Sequence, residues 1–117
     1  MVNGIPGAPE PLPEAVVTLV ARRFQVLAEP VRIRLLDRLR AGERSVGELA
    51  LAVGCSQQNV SRHLAVLGEA GVVARRKQGT RAYYRIADPT VLALCEEVCG
   101  ALRAQVRSLS SLLESAA

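Results

Sequence analysis

The sequence predicts a mostly α-helical fold carrying one small β-hairpin, and three observations lead to it. Only three of the 117 residues are aromatic (Phe24, Tyr83 and Tyr84), so the core must be assembled from Leu, Val and Ala, as in helical proteins. Apolar positions recur at three- and four-residue steps over most of the chain. The stretch from Val72 to Ile86 breaks that rhythm, being rich in strand formers with Gly79 near its centre.

Taken in order, residues 1–13 hold Pro6, Pro9, Pro11 and Pro13 with Gly4 and Gly7, a composition that cannot continue a helix and has little to bury. They read as a flexible arm, and residues 14–117 as one domain. From Glu14, the spacing of Val16, Val17, Leu19, Val20, Phe24 and Leu27 predicts an amphipathic helix ending near Ala28. Pro30 suits the first position of a second helix, on which Val31, Leu35, Leu36 and Leu39 share one face while Arg32, Arg34, Asp37, Arg38 and Arg40 face water. Ala41-Gly42 closes it. Ser45-Val46-Gly47-Glu48 has the spacing of a capping box and opens a short third helix, about 45 to 53. Gly54 ends that helix, and Ser56 caps a fourth whose buried side is Val60, Leu64 and Leu67. Two short helices joined by a tight glycine turn form a helix-turn-helix. Val72–Arg76 and Ala82–Ile86 then flank the connection Lys77-Gln78-Gly79-Thr80-Arg81, a hairpin or wing. On its second strand Tyr83 and Tyr84 alternate, one packing inward and one facing out. Asp88-Pro89 starts a last helix striped by Val91, Cys95, Val98, Leu102, Val106, Leu109 and Leu113, longer than one small core can cover, which points to pairing with a second subunit.

With half of its residues hydrophobic and 22% charged, the chain is a folded domain too short for a two-domain enzyme. No apolar run approaches the ~20 residues that span a bilayer, and the N-terminus lacks a basic segment followed by an apolar one, so no membrane association and no export are expected. Three cysteines, Cys55, Cys95 and Cys99, do not resemble a disulfide framework, and a reducing cytoplasm is the expected location. The net charge of +4 is unevenly placed. Residues 56–85 carry Arg62, Arg75, Arg76, Lys77, Arg81 and Arg85 against Glu69 alone, a net of +5, whereas the other 87 residues sum to −1. Fourteen of the fifteen basic residues are Arg, whose planar fork suits phosphates and guanine edges, although the Arg codon preference of a GC-rich genome yields the same count.

A helix that enters the major groove must present small or polar side chains to base edges and keep apolar ones on its back. Ser56, Gln57, Gln58, Asn59, Ser61 and Arg62 crowd the first two turns of the fourth helix, and Gln and Asn can bond bidentately to adenine. The plain alternative is a solvent-facing helix start with an ordinary cap. The hairpin that follows favours DNA, because its five basic residues Arg75, Arg76, Lys77, Arg81 and Arg85, with Gly79 and Thr80 at the tip, make a phosphate clamp beside the groove reader. His63 stands next to Arg62, where it could touch a phosphate, and no second histidine exists to make a metal pair with it.

Four segments in order resemble the ArsR/SmtB family of winged-helix repressors: Leu27-Ala28-Glu29-Pro30-Val31-Arg32-Ile33-Arg34-Leu35-Leu36, Ser56-Gln57-Gln58-Asn59-Val60-Ser61-Arg62-His63-Leu64-Ala65-Val66-Leu67, Ala70-Gly71-Val72-Val73, and Gly79-Thr80-Arg81-Ala82-Tyr83-Tyr84-Arg85. The similarity covers roughly residues 20–110. It implies a homodimer joined through the first and last helices, with each fourth helix in a major groove. It also implies a bacterial repressor that leaves its operator when an inducer, often a metal or an oxidant, is sensed. The family's arsenic or cadmium site, Cys-x-Cys on the third helix, is matched here by Ser45 and Gly47. Its zinc or nickel site on the last helix is matched at Asp88 only, with Thr90, Ala101 and Ala104 at the other positions. Neither set of ligands is present.

Cys95 and Cys99, four apart on the last helix, share a face on which two thiolates could bind one thiophilic metal or metalloid, completed by the partner's cysteines or by Glu96 and Glu97. Both also fall in the apolar stripe, where cysteine packs as a small hydrophobe. Cys55, just before the fourth helix, is a redox candidate if the helix dipole lowers its pKa, or simply fills the turn. An enzyme would need a nucleophile with a base, paired carboxylates or a phosphate-cradling glycine loop, and none of these can be assembled from the residues present. Two further readings stand beside an inducible repressor. One is a family member without its own ligand, constitutively competent or switched by a protein co-regulator; the other is a winged helix used only for protein contacts, which would have no need of the local +5.

Overall fold

The computed structural model describes residues 10–116, so residues 1–9 of the expected arm lie outside the described residues. Five helices follow in the expected places: α1 (Glu14–Leu27), α2 (Pro30–Leu39), α3 (Val46–Val53), α4 (Gln57–Glu69) and α5 (Thr90–Ser115). Three strands accompany them, β1 (Arg44–Ser45), β2 (Val73–Gln78) and β3 (Arg81–Ile86), in an antiparallel sheet ordered β1-β3-β2. The hairpin is tighter than the sequence suggested. Lys77, Gln78 and Arg81 belong to the strands, Gln78 pairs with Arg81, and only Gly79 and Thr80 form the turn. Gly79 has φ of 61°, at the first central position of a two-residue loop, where glycine is favoured.

Local chemistry places the helix ends. Glu29 caps α2, its carboxylate accepting from the Arg32 N–H at 3.0 Å, and Pro30 needs no partner at the first helical position. The α3 capping box forms in full: Ser45 Oγ accepts from the Glu48 N–H at 3.1 Å and Glu48 Oε1 accepts from the Ser45 N–H at 3.0 Å. Gly54, with φ of 70°, takes the left-handed conformation that lets the chain turn sharply into α4. The Ser45 hydrogen bonds hold the Glu48 carboxyl below the usual range, so its contribution to stability is complete above that range and is lost as pH falls through the lowered native value. Ser45→Ala should therefore cost about 1 kcal/mol at neutral pH. Glu48→Gln should be less stable than wild type at neutral pH and converge with it in acid, as read by urea unfolding at a series of pH values.

The core is one cluster in which Leu35, Leu36 and Leu39 of α2, Leu49 of α3 and Val60, Leu64 and Leu67 of α4 meet Val72, Val73 and Tyr84 of the sheet region. Tyr84 is the inward tyrosine, and Tyr83 is half-buried beneath the Arg76 guanidinium, 4.7 Å from its ring centroid. Arg32, expected to face water, is instead half-buried. Only the first turns of α5 join the core: Val91 is buried, Leu94 is half-buried, and every described residue from Glu96 onward is exposed. On α1 only Leu27 is buried. The radius of gyration, 18.4 Å, exceeds the ~13 Å of a compact globule of this length because these two helices project beyond the core.

Candidate nucleic-acid interface

Val60, Leu64 and Leu67 pull one side of α4 into the core and so turn the other outward. Ser56, Gln57, Gln58, Ser61 and Arg62 are exposed on that outer side, and Asn59 is half-buried between them. Ser56 Oγ caps the helix by accepting from the Asn59 N–H at 3.1 Å, and Arg62 Nη2 donates to Asn59 Oδ1 at 2.6 Å. Gln57, Gln58 and Ser61 make no side-chain hydrogen bond among the described residues, so their donors and acceptors are available to a ligand. Gln57 and Ser61 also line an open cleft of about 480 Å³ whose far wall is Thr80, Arg81 and Ala82 of the hairpin and whose floor is the start of α3.

Strand alternation sorts the basic wing residues into two groups, a division that counting charges could not reveal. Arg75 pairs with Tyr84 and Lys77 with Ala82, so both lie on the sheet face that continues from the core; Arg75 borders a groove with Ser61, Ala65 and Gly68 of α4. Arg76, Arg81 and Arg85 lie on the opposite face. There Arg76 is engaged: its Nη2 and Nε donate to the two carboxylate oxygens of Glu43 at 2.7 and 3.2 Å, and Nη1 donates to Gln78 at 2.7 Å. This bidentate pair holds the Glu43 carboxyl below its usual range and braces β2 against the loop before β1. Nothing local in the sequence pointed to it, since its partners are 33 residues apart.

His63 is not part of the outward row. Its side chain is only 12% exposed and is drawn toward α2, with Nδ1 3.2 Å from Arg32 Nη1, an intramolecular contact beside the exposed Arg62. The reason is helical geometry, since position 63 falls between the buried Val60, Leu64 and Leu67. Cys55 is half-buried against the core, its thiol 3.8 Å from the Val53 carbonyl. Cys95 and Cys99 line a groove of about 550 Å³ between α2 and α5, together with Ile33, Leu36 and Leu92, the acids Asp37 and Glu96, and the guanidinium-bearing Arg34, Arg40 and Arg103.

A family model described as a helix-turn-helix domain matches residues 27–76. The uncharacterized HTH-type transcriptional regulator Rv0081 of Mycobacterium tuberculosis is 45% identical over 82 residues, 69% of this chain and 72% of that protein. The solution structure of Mb0332 from Mycobacterium bovis, a homodimeric winged helix-turn-helix DNA-binding domain named as a possible ArsR-family regulator, superposes with a TM-score of 0.72 at 34% identity, covering 87% of this chain and 94% of that one. The chain belongs to the ArsR/SmtB family of winged helix-turn-helix transcriptional regulators. A further relative, the antimony-specific transcriptional repressor AntR, superposes with a TM-score of 0.75 at 35% identity over 85% of this chain and 91% of that one.

In this ArsR/SmtB regulator three of the positions matching the family's metal ligands, Ser45, Asp88 and Thr90, are engaged in hydrogen bonds at helix starts. Ser45 caps α3. Asp88 Oδ1 accepts from the Thr90 N–H at 3.1 Å and from its hydroxyl, while Oδ2 receives Arg23 Nη1 at 2.8 Å, joining the start of α5 to α1. Among the described residues of one chain, no three His, Cys, Asp or Glu side chains are grouped to hold a metal ion, and no helix is long and apolar enough to cross a membrane.

Proposed function

We propose that two copies of this chain bind a pseudo-palindromic operator in the cytoplasm and repress transcription, with no catalytic activity of their own. Residues 14–117 act as the DNA-binding and dimerisation unit and residues 1–13 as an arm. The observation that carries this reading is the outward row of uncommitted polar side chains on α4 beside a basic hairpin, whose Arg81 and Arg75 border two open grooves that both reach Ser61. Gln58 and Ser61, with Gln57 and Asn59 beside them, reach base edges; Ser56, Arg62, Arg75, Lys77, Thr80, Arg81 and the Gly79 backbone hold phosphates, and Arg76 orients the wing through Glu43.

Gln58→Ala or Ser61→Ala should reduce discrimination between operator and random duplex by about 1–3 kcal/mol. Lys77→Ala and Arg75→Ala should instead weaken binding to both duplexes and lower the salt slope by about one each. Fluorescence anisotropy over a salt series reads both. A Lys77→Ala, Arg75→Ala double variant that binds like wild type at every salt concentration would remove the wing from the interface.

The groove between α2 and α5 supports a thiophilic inducer. Two thiols on adjacent turns supply soft ligands, and the Glu96 carboxylate stands in the same lining. AntR, a relative, is named as antimony-specific. Antimonite or arsenite should release the wild-type protein from its operator, whereas the Cys95→Ala, Cys99→Ala variant should bind as tightly and stay bound. Should neither agent release the wild type, the regulator is switched without a thiol ligand of this kind.

A further inference from the structure

The single histidine stands where three segments meet. His63, on the inner side of α4, has Nδ1 3.2 Å from Arg32 Nη1 and 3.8 Å from Glu29 Oε2. Arg32 reaches back to α1, its Nε donating to the Val26 carbonyl at 2.6 Å, while its backbone N–H is held by Glu29. A guanidinium only donates, so in the Arg32–His63 hydrogen bond Nδ1 is the acceptor. The cluster thus links the end of α1, the cap of α2 and the middle of α4 through directional bonds.

We propose that His63 is a positioning residue that sets the rotation of the reader helix about its own axis, and that it makes no contact with DNA. The apolar neighbours Val60, Leu64 and Leu67 seat α4 but attract without direction. A turn of roughly 20° about the axis would keep most of that burial yet move a side-chain tip on the outer face by about 2 Å, more than a base-edge hydrogen bond tolerates. The His63–Arg32 bond opposes that turn. Because Arg32 is itself anchored to α1, the register of Gln58 and Ser61 on the bases becomes tied to the helix that carries an exposed apolar face. This inference rests on the reading of α4 as the DNA reader.

The test uses the full-length protein on its own upstream DNA and on a random duplex, over a salt series. His63→Ala should lose about tenfold or more in operator affinity while random-duplex affinity and salt slope stay as in wild type. His63→Asn, whose amide oxygen can stand in for Nδ1, should recover most of the loss, and His63→Lys, which only offers charge, should not. Arg32→Gln should reproduce the His63→Ala pattern, and it serves in place of His63→Ala should that variant fail to fold. Nitrogen NMR of the single imidazole at pH 8 should find Nδ1 unprotonated; a proton there would overturn the assignment. Equal losses on both duplexes with a salt slope smaller by about one, rescued by lysine, would make His63 a phosphate contact. Unchanged discrimination in His63→Ala would sink this inference alone, whereas a wild type that cannot tell operator from random duplex would sink the reader-helix reading with it.

Discussion

Replacing Leu102 and Leu109 together by glutamate is expected to convert the protein to a monomer and to cost about a hundredfold or more in operator affinity. The two side chains are seven residues apart on one face of α5 and are 54% and 58% exposed in the single chain. Val98, Val106 and Leu113 continue the same stripe, and Val16, Val20 and Phe24 are exposed on α1. A contiguous apolar surface of this kind on so small a domain is stable only when covered, and the homodimeric Mb0332 domain shows that a fold of this type can be self-paired. Two buried carboxylates facing their own copies across a two-fold axis would be desolvated without partners, which costs several kcal/mol. The DNA-binding half should remain folded, because neither leucine touches the core. Each half-site would then have to be bound independently, without the effective concentration that a second tethered reader provides. Sedimentation velocity and operator titration would check the two halves of this prediction. A variant that sediments as a dimer would show that the α5 stripe is not the interface.

Leu64→Ala is expected to destabilise the fold by about 3–4 kcal/mol and to lower the melting temperature by roughly 10–20 °C. Leu64 is 0% exposed and sits on the inner face of α4, in the cluster that joins α2, α4 and the sheet region. Its truncation removes apolar burial and leaves a cavity that rigid neighbours cannot close. Against a total stability of about 5–15 kcal/mol, that loss would leave part of the population unfolded at growth temperature. Leu51→Ala is the control. Leu51 is 88% exposed on α3, and its truncation should change stability by no more than about 0.5 kcal/mol. Both variants should be unfolded in urea at the same protein concentration, since self-association would otherwise shift the apparent stabilities. Equal effects at the two leucines would contradict the placement of α4 on the core.

The helices were legible in the sequence because the forces that start, stop and orient a helix act within about four residues of one another. Ser45 with Glu48, Pro30 at the first position of α2, Ser56 at the cap of α4 and Gly54 at the end of α3 are all local arrangements, and each is found where the residue pattern put it. The outward polar row of α4 was legible for the same reason, since the apolar spacing of Val60, Leu64 and Leu67 determines which side is left for Gln58 and Ser61. The tertiary structure alone decided what depends on distant partners. Strand β1 is two residues long and exists through pairing with Tyr83 and Tyr84. Glu43 holds Arg76 from 33 residues away, and Arg32 draws in His63 from 31 residues away, so one expected wing cation is braced and one expected phosphate ligand is turned inward. The same side chains would point to solvent on isolated helices and strands; only packing brings their partners within hydrogen-bonding reach, and an interaction that needs the finished fold leaves no periodicity in the chain that forms it.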